Sequence, residues 1–143
     1  MAELDLHLGC LEIGLTLLER QVEEGGRPYT DWLSCEVNVA VPAFSGRFRW
    51  NVMPSELRAL ADNLDRLYER LPQQGTVSFA PLEPNTTLSF AMDPTGHVSG
   101  EFAFQPDFVE GAILRGTFAI DQSYLPGLVR QIRAFVAEAV NAA

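Results

Sequence analysis

Leu57-Arg58-Ala59-Leu60-Ala61-Asp62-Asn63-Leu64-Asp65-Arg66-Leu67-Tyr68, with Leu71 just beyond, has a counterpart near the other end of the chain. That counterpart is Leu125-Pro126-Gly127-Leu128-Val129-Arg130-Gln131-Ile132-Arg133-Ala134-Phe135-Val136, with Ala139 beyond. In the first, the apolar residues are Leu57, Leu60, Ala61, Leu64, Leu67, Tyr68 and Leu71. In the second they are Leu125, Leu128, Val129, Ile132, Phe135, Val136 and Ala139. The offsets are identical and follow the i, i+3, i+4, i+7 rule for one buried helical stripe. Two such stripes need an apolar surface to cover, and a sheet offers it.

Strand patterns precede each helix. Leu4, Leu6 and Leu8 alternate with Asp5 and His7, and Leu11, Ile13, Leu15 and Leu17 continue the period after Gly9-Cys10, as a strand pair or one bulged strand. Glu23-Glu24-Gly25-Gly26-Arg27-Pro28 reads as a turn. Leu33, Cys35, Val37, Val39 and Val41 share one face, and Pro42 ends that strand. Phe44, Phe48, Trp50 and Val52 form the next inward row. The first helix is expected to start near Asn51 as cap, with Pro54 in the first turn and Glu56 at the positive helix end. After Leu71-Pro72, short strands fall at Val77 and Phe79, at Leu88, Phe90 and Met92, at Val98, Phe102 and Phe104, and at Leu114, Phe118 and Ile120. Asp93-Pro94-Thr95-Gly96 is a tight hairpin turn. For the last helix, Ser123 is preferred over Asp121 as cap, because Asp121 would put Pro126 where a helical hydrogen bond is needed.

The expected architecture is α+β in a single domain, residues 1–143, ordered ββββα-ββββα. About eight antiparallel strands carry two amphipathic helices packed on one face. A sheet that wide curls strongly or divides into two subsheets. Similar strand-to-helix joints, Phe48-Arg49-Trp50-Asn51 and Phe118-Ala119-Ile120-Asp121, fit an internal duplication or simply the shared physics of a strand feeding a helix.

With 47% hydrophobic and 20% charged residues among 143, the chain has an ordinary globular composition. No apolar run approaches bilayer thickness, and Met1-Ala2-Glu3-Leu4-Asp5-Leu6 lacks a secretory pattern, so a cytoplasmic protein without membrane contact is expected. Cys10 and Cys35 are then reduced thiols in strands. All ten basic residues are arginine, and the net charge of −9 argues against a nucleic-acid partner. It suits a positively charged protein partner, or serves solubility alone.

Catalytic and metal signatures are missing. His7 and His97 are far apart and read as solvated, and neither a nucleophile elbow, a phosphate-binding glycine loop nor a zinc-type ligand pair is present. The reading is therefore non-enzymatic and without a cofactor. What stands out is acidic. Glu83, Asp93, Glu101, Asp107 and Glu110 fall in a stretch, Pro72 to Leu114, that contains no arginine; Glu3, Asp5, Glu12, Glu19, Glu23 and Glu24 crowd the N-terminal segment. On one shared edge these form a partner-binding surface; spread around the sheet they are solubilising charge. Trp32, out of phase with Leu33 and Cys35, is an interface anchor, part of a second apolar layer, or a strand end tucked under a helix.

The run from Asp31 to Phe48, the helix from Leu57 to Leu67, the segment Asn85 to Gly100, and Thr117-Phe118-Ala119-Ile120-Asp121-Gln122-Ser123-Tyr124-Leu125 together resemble the WapI-type immunity proteins. These are small bacterial proteins found beside contact-dependent toxins. The resemblance implies a stoichiometric inhibitor of a cognate toxin domain, often a basic nuclease, and assigns no binding residue. Trp32, Glu83, Asp93, Glu101, Asp107 and Glu110 are the partner-binding candidates from the residues themselves. Two alternatives stay open: an acidic chaperone-like module holding a secreted effector, which would form a homodimer, and a small-ligand binder with an aromatic-lined cavity.

Overall fold

The computed structural model describes residues 2–22 and 31–141, so the expected turn at Glu23 to Pro28 lies outside the described residues. The order is β1 (Glu3–Leu8), β2 (Leu11–Val22), β3 (Asp31–Val41), β4 (Phe44–Val52), α1 (Pro54–Glu69), β5 (Gly75–Phe79), β6 (Thr86–Met92), β7 (His97–Phe104), β8 (Leu114–Asp121), a 3-10 turn (Gln122–Tyr124) and α2 (Leu125–Asn141). The eight strands divide into two antiparallel meanders, β1-β2-β3-β4 and β5-β6-β7-β8, which is how a sheet of this width relieves its twist. The helices pack chiefly against each other. α1 also meets β5 and β3, and α2 meets β1 and β2.

Period-two alternation places its apolar residues inside along β1, β2 and β3, as expected. All seven stripe residues of α2 are buried. In α1 the stripe is buried through Leu67, but Tyr68 is exposed and the helix ends at Glu69, before Leu71. Arg133 of α2 reaches across to Asp62 (2.9 Å) and Asp65 (3.5 Å) of α1, so the charged face of α1 is neutralised partly from its neighbour.

Both helix starts differ from expectation. Asn51 belongs to β4, paired with Ser34, and Met53 is the first-helix cap. The Glu56 carboxylate accepts the Met53 N–H at 2.9 Å and, with its other oxygen, the Leu82 N–H at 2.6 Å, which leaves Asn51 no capping role. At the second joint Asp121 caps the 3-10 turn that precedes α2, accepting from the Ser123 N–H at 3.1 Å, and Ser123 lies inside that turn rather than capping the last helix. The intervening 3-10 turn shifts Pro126 to the second position of α2, where no helical donor is missed. Phe44 is the third difference. It lies on the expected face but at the hairpin tip, past the rim of the core, and is 66% exposed.

Cys10 sits in the β1–β2 turn rather than in a strand and is exposed, while Cys35 is buried; both are free thiols. Burial pushes the Cys35 thiol up to about 12. Near pH 8 a soluble thiol reagent should therefore modify Cys10 alone in the native protein and both cysteines after unfolding. Fast reaction of two native thiols would contradict the buried β3 position.

Among the described residues Thr86 is the one buried polar side chain, 3% exposed, with no hydrogen-bond partner for its hydroxyl. Valine matches its shape without the stranded hydroxyl, so Thr86→Val should raise stability by about 1 kcal/mol in denaturant melts. A loss of similar size would mean that the hydroxyl is satisfied in solution.

The two sheets meet in two places. The Gly9-Cys10 tip touches Ala119 and Thr117 of β8, with Cys10 Sγ 3.6 Å from the Thr117 carbonyl oxygen. β4 lies beside the loop end of the second sheet: the Trp50 ring N–H donates to the Glu83 carbonyl at 2.7 Å, Trp50 meets Phe79 edge-on, and Phe48 meets Phe104 at 6.3 Å. This corner positions the candidate site.

Candidate functional site

The β5–β6 and β7–β8 loops leave the same end of the second sheet, because Thr86 and Phe104 pair across β6 and β7. Asn85 ties them together, its side-chain amide donating to the carbonyls of Gln105 (3.0 Å) and Pro106 (3.4 Å) while its own carbonyl accepts from the Gln105 N–H (2.9 Å). Asp107 shapes the longer loop from within, accepting from the Val109 N–H at 2.8 Å and the Glu110 N–H at 3.4 Å. Phe108 and Val109 are thereby held out in solvent, 54% and 94% exposed. The β3–β4 hairpin abuts this loop, adding Phe44. Between them lies a groove of about 360 Å³ lined by Phe44, Phe48, Phe104, Pro106, Ile113 and Leu114.

Of the acidic candidates, this end gathers Glu83, half-buried in the β5–β6 loop, with Asp107 and Glu110 in the β7–β8 loop. Glu101 lies on the outer face of β7, between Ser89 and Thr117, one row from the end. Asp93 lies in the turn at the opposite end of β7, an eight-residue strand away, or roughly 26 Å at the usual rise. There it accepts from the Thr95 hydroxyl and from the Thr95 and His97 N–H groups. Those bonds, the Thr95 hydroxyl first, hold its carboxyl below the usual range. Trp32, half-buried opposite Gln21, is at the far end of β3 from Phe44. The structure thus brings three of the six together and sets Trp32 and Asp93 apart from them.

The exposed apolar residues Phe44, Phe108, Val109 and Ile113 were not legible as candidates. A signal existed for two of them: Phe108-Val109 stands between Pro106 and Gly111, in a segment with neither helical nor strand period to bury it.

A second charged surface is the outer face of the first sheet. In register it runs Glu3–Thr16–Glu36–Arg49, Asp5–Gly14–Asn38–Arg47 and His7–Glu12–Ala40–Ser45. Carboxylates therefore occupy β1, β2 and β3, and the arginines stand on the edge strand β4. Among the described residues no group of three or more His, Cys, Asp or Glu side chains could hold a metal ion, and no helix is long and apolar enough to cross a membrane.

A family model described as "Immunity protein WapI-like family" matches residues 8–139. The chain belongs to this family. The match starts at Leu8, so membership in the WapI-like family takes in β2 as well as the segments from Asp31 onward that carry the sequence resemblance. A comparison of this WapI-like chain with curated proteins finds no match. Among solved structures, the plant transcriptional regulator PBF-2 is similar at TM-score 0.45 and 7% identity, over 98% of this chain and 82% of that one. A protein of unknown function from the DUF155 family of Prochlorococcus sp. NATL2A is similar at TM-score 0.35 and 9% identity, over 93% and 98%. At these scores neither likeness bears on fold or function.

Proposed function

We propose that this WapI-like protein is a cytoplasmic, non-catalytic immunity protein that binds one toxin domain and blocks it by occupying its surface. The observation that carries this reading is the loop end, where Phe44, Phe108, Val109 and Ile113 are exposed beside Glu83, Asp107 and Glu110. Exposed aromatic and aliphatic side chains rimmed by charge are the make-up of a protein interface: the apolar centre supplies affinity and the rim supplies orientation.

The net charge of −9 adds long-range attraction for a basic toxin domain, raising the encounter rate without new contacts. Such steering acts over about one Debye length, ~8 Å at physiological ionic strength. The test is co-expression with the C-terminal domain of a large toxin-like protein encoded beside this gene, followed by purification. A one-to-one complex and rescue of growth support the reading. Growth arrest despite full expression of this chain overturns it.

A further inference from the structure

β4 is the last strand of its sheet, and among the described residues no backbone hydrogen bond joins it to anything but β3. The other edges are covered differently. α2 packs on β1, with the Gln131 side-chain amide donating to the Asp5 carbonyl, the Gly9-Cys10 tip touches β8, and α1 packs on β5. An open edge is a template for another strand, which natural proteins cover or charge unless it is used.

Its geometry can be counted from the turn. Val41 and Phe44 flank Pro42-Ala43, and Ala43 at φ 75 with Pro before it fits a turn whose flanking residues share a hydrogen bond. Bonded and non-bonded pairs then alternate along the ladder. The N–H and C=O groups of Ser45, Arg47, Arg49 and Asn51 therefore face away from β3. On the inner side of this edge lies the groove lined by Phe44, Phe48, Phe104 and Ile113. On the outer side stand Arg47, 3.8 Å from Glu36, and Arg49, which has no ion pair among the described residues.

We propose that the toxin docks by adding one of its own strands to β4. The docked segment is extended, with apolar residues at the positions facing the groove and carboxylates at the alternate positions facing Arg47 and Arg49. Backbone bonds give such a contact its affinity, and alternate side chains give its selectivity. A second copy of this chain is the wrong occupant. Antiparallel pairing of β4 with itself about Phe48, the middle of the strand, sets Arg47 against Arg49 twice, and pairing about either arginine sets it against itself; the registers that avoid this, about Gly46 or Trp50, shift the overlap toward a strand end. Like charges directly opposite are unfavourable. The strongly acidic chain thus draws a basic domain over distance, while its edge strand selects an acidic-patterned segment locally.

This inference rests on the immunity reading, and the experiment separates the two. The full chain is mixed with the toxin domain, and hydrogen exchange is followed residue by residue. The expected result is at least tenfold slower exchange at Ser45, Arg47, Arg49 and Asn51 in the complex, with β1 amides unchanged. Arg47→Gln with Arg49→Gln, at two exposed positions, removes the charges without setting new carboxylates beside Glu36, and should weaken the complex at least tenfold with little change in the melting curve; Ser45→Pro, which removes one outward donor, should weaken it independently. A complex that leaves the β4 amides exchanging as before overturns strand addition and keeps the immunity reading. No complex at all overturns both. Dimers of the isolated chain, strengthened by R47Q/R49Q, assign the edge to a second copy and also overturn the proposal.

Discussion

Phe118→Ala lowers the free energy of unfolding by about 3–5 kcal/mol, the range for emptying a buried aromatic site. The ring is 4% exposed and meets Phe90 edge-on at 5.3 Å. It also lies flat over Gly100, its register partner on β7. A Cβ at Gly100 would stand 2.0 Å from the ring, so only glycine leaves room for it. The same device recurs one row away, where Phe102 covers Gly116. Alanine at 118 thus opens a cavity that β6 and β7 cannot collapse to fill, because their backbones are fixed by the ladder. Against a typical total of about 5–15 kcal/mol the loss is large. A denaturant midpoint shift equivalent to less than one kcal/mol would show that β8 does not feed the core.

The second large effect is on binding. Phe44→Asp and Ile113→Asp should each weaken the toxin complex about 100-fold, which corresponds to roughly 2.7 kcal/mol and is typical of an interface anchor. Folding should be untouched, since the two residues are 66% and 45% exposed. The change should appear as faster dissociation, because these side chains act after encounter. Unaltered affinity in both variants would move the interface away from the loop end.

The helices and most of the strands could be read from the sequence because their information is periodic. Leu57 to Leu67 and Leu125 to Ala139 repeat at helical spacing, and Leu33 to Val41 alternate, so burial follows from position alone. Joints were less legible. Which residue caps α1 depends on where the β3–β4 ladder stops, and Asn51 lost its cap role to a long-range pairing with Ser34. Placing Pro126 required a 3-10 turn that residue preference does not announce.

The candidate site was legible in its charge and not in its shape. Glu83, Asp107 and Glu110 stood out as acidic loop residues, yet their meeting depends on Asn85 tying two loops whose ends are brought together by β6 and β7. Asp93 carries the same chemical signal and ends at the opposite end of β7, committed to its own turn. Phe44 was read as core because its phase along β4 is correct; phase says which face a residue takes, not where the core stops.

The most direct test of the account is the association rate of this chain with its toxin domain, measured as salt is raised from about 0.05 to 0.5 M, alongside inhibition of the toxin's activity at one-to-one stoichiometry. If an acidic immunity protein is steered onto a basic toxin, the on-rate falls markedly with salt, by about tenfold or more, while the off-rate changes little. Replacing Glu101, Asp107 and Glu110 by their neutral isosteres should lower the on-rate at low salt and leave the melting curve in place. A complex whose formation ignores salt, or full toxin activity in the presence of excess protein, would contradict it.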